Sequence, residues 1–230
     1  MLLKGKIAVV TGGSLGFGFC ITKKLLEKGC TVYIIGRNKL HIKSALSKFS
    51  SVNVKGIVGD VSDYKNIKKI IKAINPIDIL INNAGIYFEG QIDVQSSKKI
   101  SQIIDVNLKG VIYTTKAVMT QMLIRNKGHI VNIASMSALK GKELEAVYSA
   151  SKFGVRGFTE SLKLDLKDTN IKLIGFYPGS MNTNLIEDSS VLSKNSSWMD
   201  PEKVAEIIIF VLEQDDSMNL NVEVTRAKLT

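Results

Sequence analysis

The run Lys6-Ile7-Ala8-Val9-Val10-Thr11, followed at once by Gly12-Gly13-Ser14-Leu15-Gly16-Phe17-Gly18, constrains the chain more than any other stretch. A short β-branched run ended by glycines reads as a buried strand. The glycines then open an amphipathic helix that carries Ile21, Leu25 and Leu26 and stops near Gly29. In this strand, turn, helix arrangement, backbone N–H groups and a helix N-terminus can cradle a pyrophosphate. The spacing is Gly-x3-Gly-x-Gly rather than Gly-x-Gly-x2-Gly, so a tight turn without a ligand stands as the alternative.

The alternation continues along the chain. Thr31-Val32-Tyr33-Ile34-Ile35 reads as a second strand ending in Gly36-Arg37. In a dinucleotide fold an acid usually stands there, about 20 residues after the glycines, and binds the adenine ribose hydroxyls. A carboxylate would repel a 2′-phosphate, whereas Arg37 can bind one bidentately. The junction therefore favours NADP(H) over NAD(H), with NAD(H) possible and a solvent-facing arginine as the plain alternative.

Val52 to Val58 forms strand three, leading into Gly59-Asp60-Val61-Ser62. Asp60 either accepts from an adenine amino group or caps the helix that Ser62-Asp63 begins. That helix runs to about Ile74, where Pro76 forces a break. Strand four, Ile77 to Ile81, ends in Asn82-Asn83-Ala84-Gly85. Doubly wound sheets bind ligands at such carboxyl ends, although Asn and Gly also favour simple turns. Helical patterns cover about Lys98–Asn107 and Lys109–Asn126, with Asn107 a poor helix former inside them.

Strand five, His129 to Ile133, ends in Ala134-Ser135-Met136-Ser137, and a helix follows from about Glu145 to Lys167. Strand six, Ile171 to Phe176, leads into Tyr177-Pro178-Gly179-Ser180-Met181-Asn182-Thr183. A helix from Pro201 to Glu213 and a strand from about Asn221 to Thr225 complete the pattern. Strands alternating with helices, with no linker between them, predict one α/β domain over residues 1–230. The expected architecture is a doubly wound, mostly parallel, seven-stranded sheet with helices on both faces, Rossmann-like in form.

Tyr148-Ser149-Ala150-Ser151-Lys152 is the stretch with chemical meaning. On a helix, the i,i+4 spacing puts phenol and ammonium on one face. A tyrosine titrates near pH 10, so acid/base work near neutrality asks for a pKa lower by about 3, or about 4 kcal/mol. An ammonium 4–5 Å away supplies roughly 3–4 kcal/mol at an effective dielectric near 20. Spacing alone is weak, since Tyr64 and Lys68 repeat it within a lysine-rich run that reads as a solvated helix face.

Composition narrows the classes. No apolar run approaches the roughly 18–20 residues of a membrane span, and Met1-Leu2-Leu3-Lys4 enters a strand without a signal-peptide pattern. The two cysteines, Cys20 and Cys30, have no metal-ligand spacing, which implies a reduced, cytoplasmic setting and no metal site. The net charge of +10 is spread over helix surfaces without an aromatic-basic stripe, which argues against a nucleic-acid binder.

In this order, the motifs resemble the short-chain dehydrogenase/reductase family along nearly the whole chain. The matching pieces are Thr11-Gly12-x3-Gly16-x-Gly18, Asp60, Asn82-Asn83-Ala84-Gly85, Asn107, Ser135, Tyr148-x3-Lys152, and Pro178-Gly179 with Thr183. The resemblance implies an oxidoreductase that moves a hydride between a nicotinamide cofactor and a small or medium carbonyl/alcohol pair. It implies Tyr148 as acid/base and Lys152 as the group that lowers its pKa and holds the nicotinamide ribose. Ser135, rather than Ser137, would hydrogen-bond the reacting oxygen, and Asn107 would anchor a water linked to Lys152.

Gly12, Gly16 and Gly18 would form the phosphate loop, with Ser14 and Leu15 between them also binding the cofactor. Asp60 and Asn83 match the adenosine side and Thr183 the nicotinamide and pyrophosphate side, with Val61, Ala84, Gly85, Pro178 and Gly179 as further cofactor-binding residues. A homodimer or homotetramer follows from the same resemblance. Residues 184–199 correspond to a substrate lid, carrying Leu185, Ile186, Val191, Leu192 and Trp198; Met136, Leu144 and Met181 are further pocket-wall candidates.

Three departures stand out: Gly13 and Phe17 in the loop, Leu15 where NADP-preferring relatives carry a basic residue, and a C-terminus without Val-Asp-Gly-Gly. The alternative from another class is a nucleotide-sensing or scaffold protein with little catalysis.

Overall fold

The computed structural model describes residues 2–183, 198–214 and 220–226. The strands are β1 (Ile7–Thr11), β2 (Thr31–Gly36), β3 (Val54–Val58), β4 (Ile79–Asn82), β5 (Gly128–Ile133), β6 (Ile171–Pro178) and β7 (Asn221–Val224). The α-helices are α1 (Gly16–Glu27), α2 (Lys39–Lys48), α3 (Tyr64–Ala73), α4 (Ser97–Ile104), α5 (Gly110–Arg125), α6 (Ala146–Asp165) and α7 (Pro201–Glu213). Among the described residues the strands form one sheet in the order β3-β2-β1-β4-β5-β6-β7, and every pairing is parallel.

Strand alternation divides the core between the two faces. Ala8, Val10, Val32, Ile34, Ile79 and Ile81 point to the side covered by Ile21 and Leu25 of α1, Ile42 of α2 and Ile208 of α7. Val9, Ile35, Leu80 and Ile130 point to the side covered by Ile67 and Ile71 of α3 and by Val118 and Met122 of α5. A third cluster joins Val111 of α5, Val155 of α6 and Tyr177 of β6. Each fully buried aliphatic side chain contributes about 1.5–3 kcal/mol, which is why central strands read as unbroken apolar runs.

Several boundaries differ from the sequence reading. The β-branched run predicts β3 from Val52, but Val52 is 94% exposed and precedes the first paired residue, Val54. Helix α2 escaped the sequence pattern because only Ile42 and Ala45 of its ten residues are buried. Strand β6 continues through Tyr177 and Pro178, which pair with Glu223 and Val224. The two helical patterns around Asn107 form one continuous helix, joined through a π-helical turn at Asp105–Lys109. β1 and β4 are paired neighbours, but the chain runs on from them toward opposite edges of the sheet, and at this order reversal a crevice opens at the carboxyl ends of the central strands.

Candidate active site

A cleft of about 990 Å³ occupies that crevice. Its floor begins with the glycine loop. Thr11 Oγ1 accepts from the N–H groups of Asn83 and Ala84, both at 3.0 Å, and so ties the end of β1 to the end of β4. Asn83 Nδ2 donates to the carbonyls of Thr11 at 3.0 Å and Gly12 at 3.3 Å. A β-carbon at Gly18 would be driven into the Gly12 carbonyl and the Asn83 amide, so only glycine allows this close approach.

Helix α1, like α6, starts without a side-chain cap. Asn38, Asp63, Ser96 and Asp200 cap α2, α3, α4 and α7 through their side chains. Leu15, at the N-cap of α1, provides no side-chain acceptor. The first N–H groups of α1 are therefore left to whatever enters the cleft, and the helix dipole favours an anion there. The Gly12-to-Phe17 wall, the uncapped helix and the exposed Arg37 with Asn38 and His41 at the far rim fit a phosphate-bearing dinucleotide.

The other end of the cleft holds the titratable groups. Tyr148 and Lys152 lie one turn apart on α6, both buried, with the Lys152 ammonium 5.8 Å from the centre of the Tyr148 ring. Lys152 Nζ donates to the Ile133 carbonyl at 3.0 Å. Burial lowers its pKa to about 8, because the charged form loses hydration. Burial also pushes Tyr148 up to about 12; a hydrogen bond from Ser135 works in the other direction, and the charge of Glu145 adds to the rise. Desolvation thus outweighs the spacing argument in which Lys152 brings the tyrosine down. The look-alike pair is unrelated to the cleft: Lys68 lies 6.0 Å from the Tyr64 ring, which packs on Tyr113 at 5.3 Å.

Asn107 is fully buried in the π-helical turn, where the extra residue turns its amide toward the β4 loop. Its Oδ1 accepts from Ile86 N at 2.8 Å, and Nδ2 donates to Ile86 O at 2.9 Å and to Ser151 Oγ at 3.2 Å. The side chain clamps the strand-to-cleft segment like a missing strand neighbour. A β-carbon at Gly85 would lie 3.4 Å from Asn107 Oδ1 and 3.8 Å from Lys152 Nζ, so the backbone there passes between the two.

Of the residues singled out in the sequence, the cleft is lined by Gly12, Ser14, Leu15, Gly16, Arg37, Val61, Asn83, Ala84, Gly85, Ser135, Tyr148, Lys152, Pro178, Gly179, Met181, Thr183 and Trp198. Gly18 and Asn107 stand behind this wall and shape it. Asp60 lies between the lining residues Gly59 and Val61, and its Oδ1 accepts from Ser62 N at 2.9 Å and Ser62 Oγ at 2.7 Å in the turn that precedes α3. Met136 packs in the cluster around Tyr177, and Leu144, at φ 60°, is 44% exposed. Neither lines the cleft. Phe17 does, while stacking at 6.1 Å on Phe176. The lid segment falls outside the described residues except for Trp198 and Met199; Met199 bridges to Met181.

The sequence reading passed over Tyr87, Glu89, Lys142 and Glu145, which also line the cleft. Tyr87 stands edge-on to Tyr148 with ring centres 5.0 Å apart. Its hydroxyl donates toward Glu89 Oε2 at 2.9 Å and Glu145 Oε1 at 3.2 Å. Ser137 Oγ donates to Glu145 Oε2 at 2.6 Å. The signal for Glu145 was available in its position three residues before Tyr148, which places both on one helix face.

Comparison with known proteins agrees with this geometry. Residues 6–191 match the family described as short chain dehydrogenase. An uncharacterised oxidoreductase of Staphylococcus aureus strain MW2 is 32% identical over 224 residues, covering 96% of each chain. The closed form of serine dehydrogenase complexed with NADP+ superposes with a TM-score of 0.85 at 27% identity, over 97% of this chain and 98% of that one. A variant of actinorhodin polyketide ketoreductase with NADPH gives 0.88 at 28% identity, over 96% and 95%. The chain belongs to the short-chain dehydrogenase/reductase family of oxidoreductases, which use NAD(P)(H).

Proposed function

We propose that the protein is an NADP(H)-dependent oxidoreductase for a small or medium carbonyl/alcohol pair, with Tyr148 as its acid/base. The observation that carries this is the arrangement at one end of the cleft: a buried phenol bonded by Ser135, with Lys152 behind it, facing a glycine loop and an uncapped helix. The nicotinamide, when bound, supplies or takes the hydride. The protein's part is the proton. Burial keeps Tyr148 protonated, so it can give its proton to a carbonyl oxygen while the Ser135 hydroxyl donates to the same oxygen as charge develops there. The tyrosinate left behind is stabilised by the Lys152 ammonium, which lies 5.8 Å from the centre of its ring. Lys152, with a pKa near 8, is itself suited to pass on a replacement proton near neutrality.

Arg37 supports NADP(H), because it stands exposed at the rim beside Gly36, where a carboxylate would repel a 2′-phosphate. The two structural relatives compared above carry NADP+ or NADPH, at 27–28% identity. The Asn107 amide positions the Ile86 backbone beside the reacting end. A homodimer or homotetramer in the cytoplasm belongs to the same proposal.

Purified protein with NADPH and a panel of aldehydes and ketones, followed by nicotinamide absorbance, tests the reaction. Tyr148→Phe should lower kcat about 10²–10⁴-fold, the usual contribution of a positioned acid. Undiminished turnover in that variant would refute the mechanism, and tight NADPH binding without turnover of any substrate would favour a nucleotide-sensing role. Arg37→Asp should weaken NADP(H) at least tenfold more than NAD(H), about 1.4 kcal/mol of discrimination. Equal losses would remove Arg37 from cofactor choice.

A further inference from the structure

Glu145 is a charged group of the cleft to which proton transfer at Tyr148 assigns no contact with the substrate. It begins α6 three residues before Tyr148, and its side chain is only 12% exposed, so the carboxylate looks into the cleft rather than into bulk water. Its orientation is fixed by Ser137 Oγ at 2.6 Å and Tyr87 Oη at 3.2 Å. Both donors are uncharged, so they hold the carboxylate without cancelling its charge. Lys142 approaches only to 4.0 Å and is itself 46% exposed. A carboxylate offers about four acceptor positions, and the two hydroxyls use two of them.

The surroundings suit a cation. The Tyr87 ring lines the cleft beside Glu145, edge-on to Tyr148, and its hydroxyl is shared with Glu89 at 2.9 Å. Burial pushes the Tyr87 hydroxyl far above the usual tyrosine range, so it stays protonated, with its one proton shared between the two carboxylates. An aromatic ring beside a desolvated carboxylate is how proteins receive an ammonium group. On the other side of Tyr148 stands Lys152, also buried. A carboxylate on the substrate would meet Glu145 head-on, and a neutral substrate would displace water from Glu145 while leaving only Ser137, Tyr87 and the exposed Lys142 to hold its charge.

We propose that Glu145 recognises a protonated amine on the substrate, making the active site selective for short amino alcohols and the corresponding amino ketones. This assignment rests on Tyr148 acting on the substrate oxygen. The i,i+3 relation separates the two β-carbons by about 5–6 Å, so an amine close to the reacting carbon reaches Glu145 while its hydroxyl faces Tyr148. Aliphatic amines titrate near lysine, about pH 10, and are cationic at neutral pH.

The test compares 1-aminopropan-2-ol with its isostere butan-2-ol, in which methyl replaces ammonium, as substrates for NADP+-dependent oxidation by the full chain at neutral pH. The amine should have a kcat/KM at least tenfold higher. Glu145→Gln should erase that ratio, and Glu145→Asp should restore part of it. A measurement on the unaltered protein guards against a variant that does not fold. Isopropylammonium should inhibit butan-2-ol oxidation competitively, and uncharged isobutyramide at least tenfold more weakly. Butan-2-ol turned over as well as the amine, equal inhibition by the two compounds, or a ratio retained in a folded Glu145→Gln overturns the role of Glu145 and leaves the reaction class standing. No turnover of any alcohol or carbonyl, with NADPH bound, overturns both.

Discussion

Tyr148 and Lys152 share one buried pocket, and burial moves their proton affinities in opposite directions, to about 12 and about 8. Each shift favours the neutral form, as expected where water is excluded. The consequence for stability has a definite sign. Between about pH 8 and 10.5 the unfolded chain keeps a proton on Lys152 that the folded chain has released, so stability rises with pH across that window. Tyr148 opposes this only from about pH 10 upward, where the unfolded chain loses the phenolic proton first. Lys152→Met, which removes the buried ammonium while keeping the chain length, should abolish the rise. Urea unfolding at pH 7.5 and 9.5 should show the native protein gaining about 2 kcal/mol relative to the variant. Parallel curves for the two would mean that Lys152 is hydrated in solution.

At the scale of elements, the long helical segment from α4 through α5 is interrupted where it meets the cleft. The π-helical turn at Asp105–Lys109 rotates Asn107 inward, and the Asn107 amide satisfies both polar groups of the Ile86 backbone. Asn107→Ala leaves those groups and Ser151 without this partner in a buried place, and each lost buried partner costs about 1–3 kcal/mol. The variant should therefore lose about 2–3 kcal/mol of stability in urea unfolding; a loss below about 0.5 kcal/mol would mean that the clamp is not structural. The sequence marked Asn107 as out of place in a helix, and in that sense the interruption was legible. Its form was not, because a π-helical turn is decided by the partner it reaches rather than by local propensity. Strands β1, β2 and β5 were legible because burial on both faces makes them continuous apolar runs. Helix α2 was not, since it covers an edge of the sheet with two buried residues. The same logic separates the site residues. Gly12, Gly16 and Gly18 announce themselves by a spacing that backbone geometry imposes. Glu145 and Tyr87 reach the cleft only through the packing of α6 against the β4 loop. Asp60 had two open explanations in the sequence; the capping role falls to Asp63 instead, and the Asp60 Oδ1 accepts from Ser62 in the turn before α3.

For the molecule as a whole, the cleft is built from both halves of the sheet. Its walls come from the ends of β1, β2, β4, β5 and β6 and from the starts of α1 and α6. Both main core clusters lie directly beneath it, so a ligand that fills it contacts elements whose separation is global unfolding. Other links between distant elements are weaker. Lys23–Glu202 and Lys24–Glu206, both 2.9 Å, and Lys28–Glu213, 2.8 Å, join α1 to α7 at the surface, where an ion pair contributes about 0.2–1 kcal/mol. A cofactor at 100 times its dissociation constant contributes about 2.7 kcal/mol by mass action, more than any one of these pairs. In a chain of this size each kcal/mol moves Tm by about 2–4 °C, so saturating NADPH should raise Tm by about 5–10 °C. NADH at the same concentration should raise it less, because Arg37 and the rim around His41 then have no 2′-phosphate to meet. Differential scanning fluorimetry with both nucleotides measures this directly. Equal shifts for NADPH and NADH would place the selectivity elsewhere. No shift with either would mean that the uncapped start of α1 and the glycine loop do not form the cofactor site.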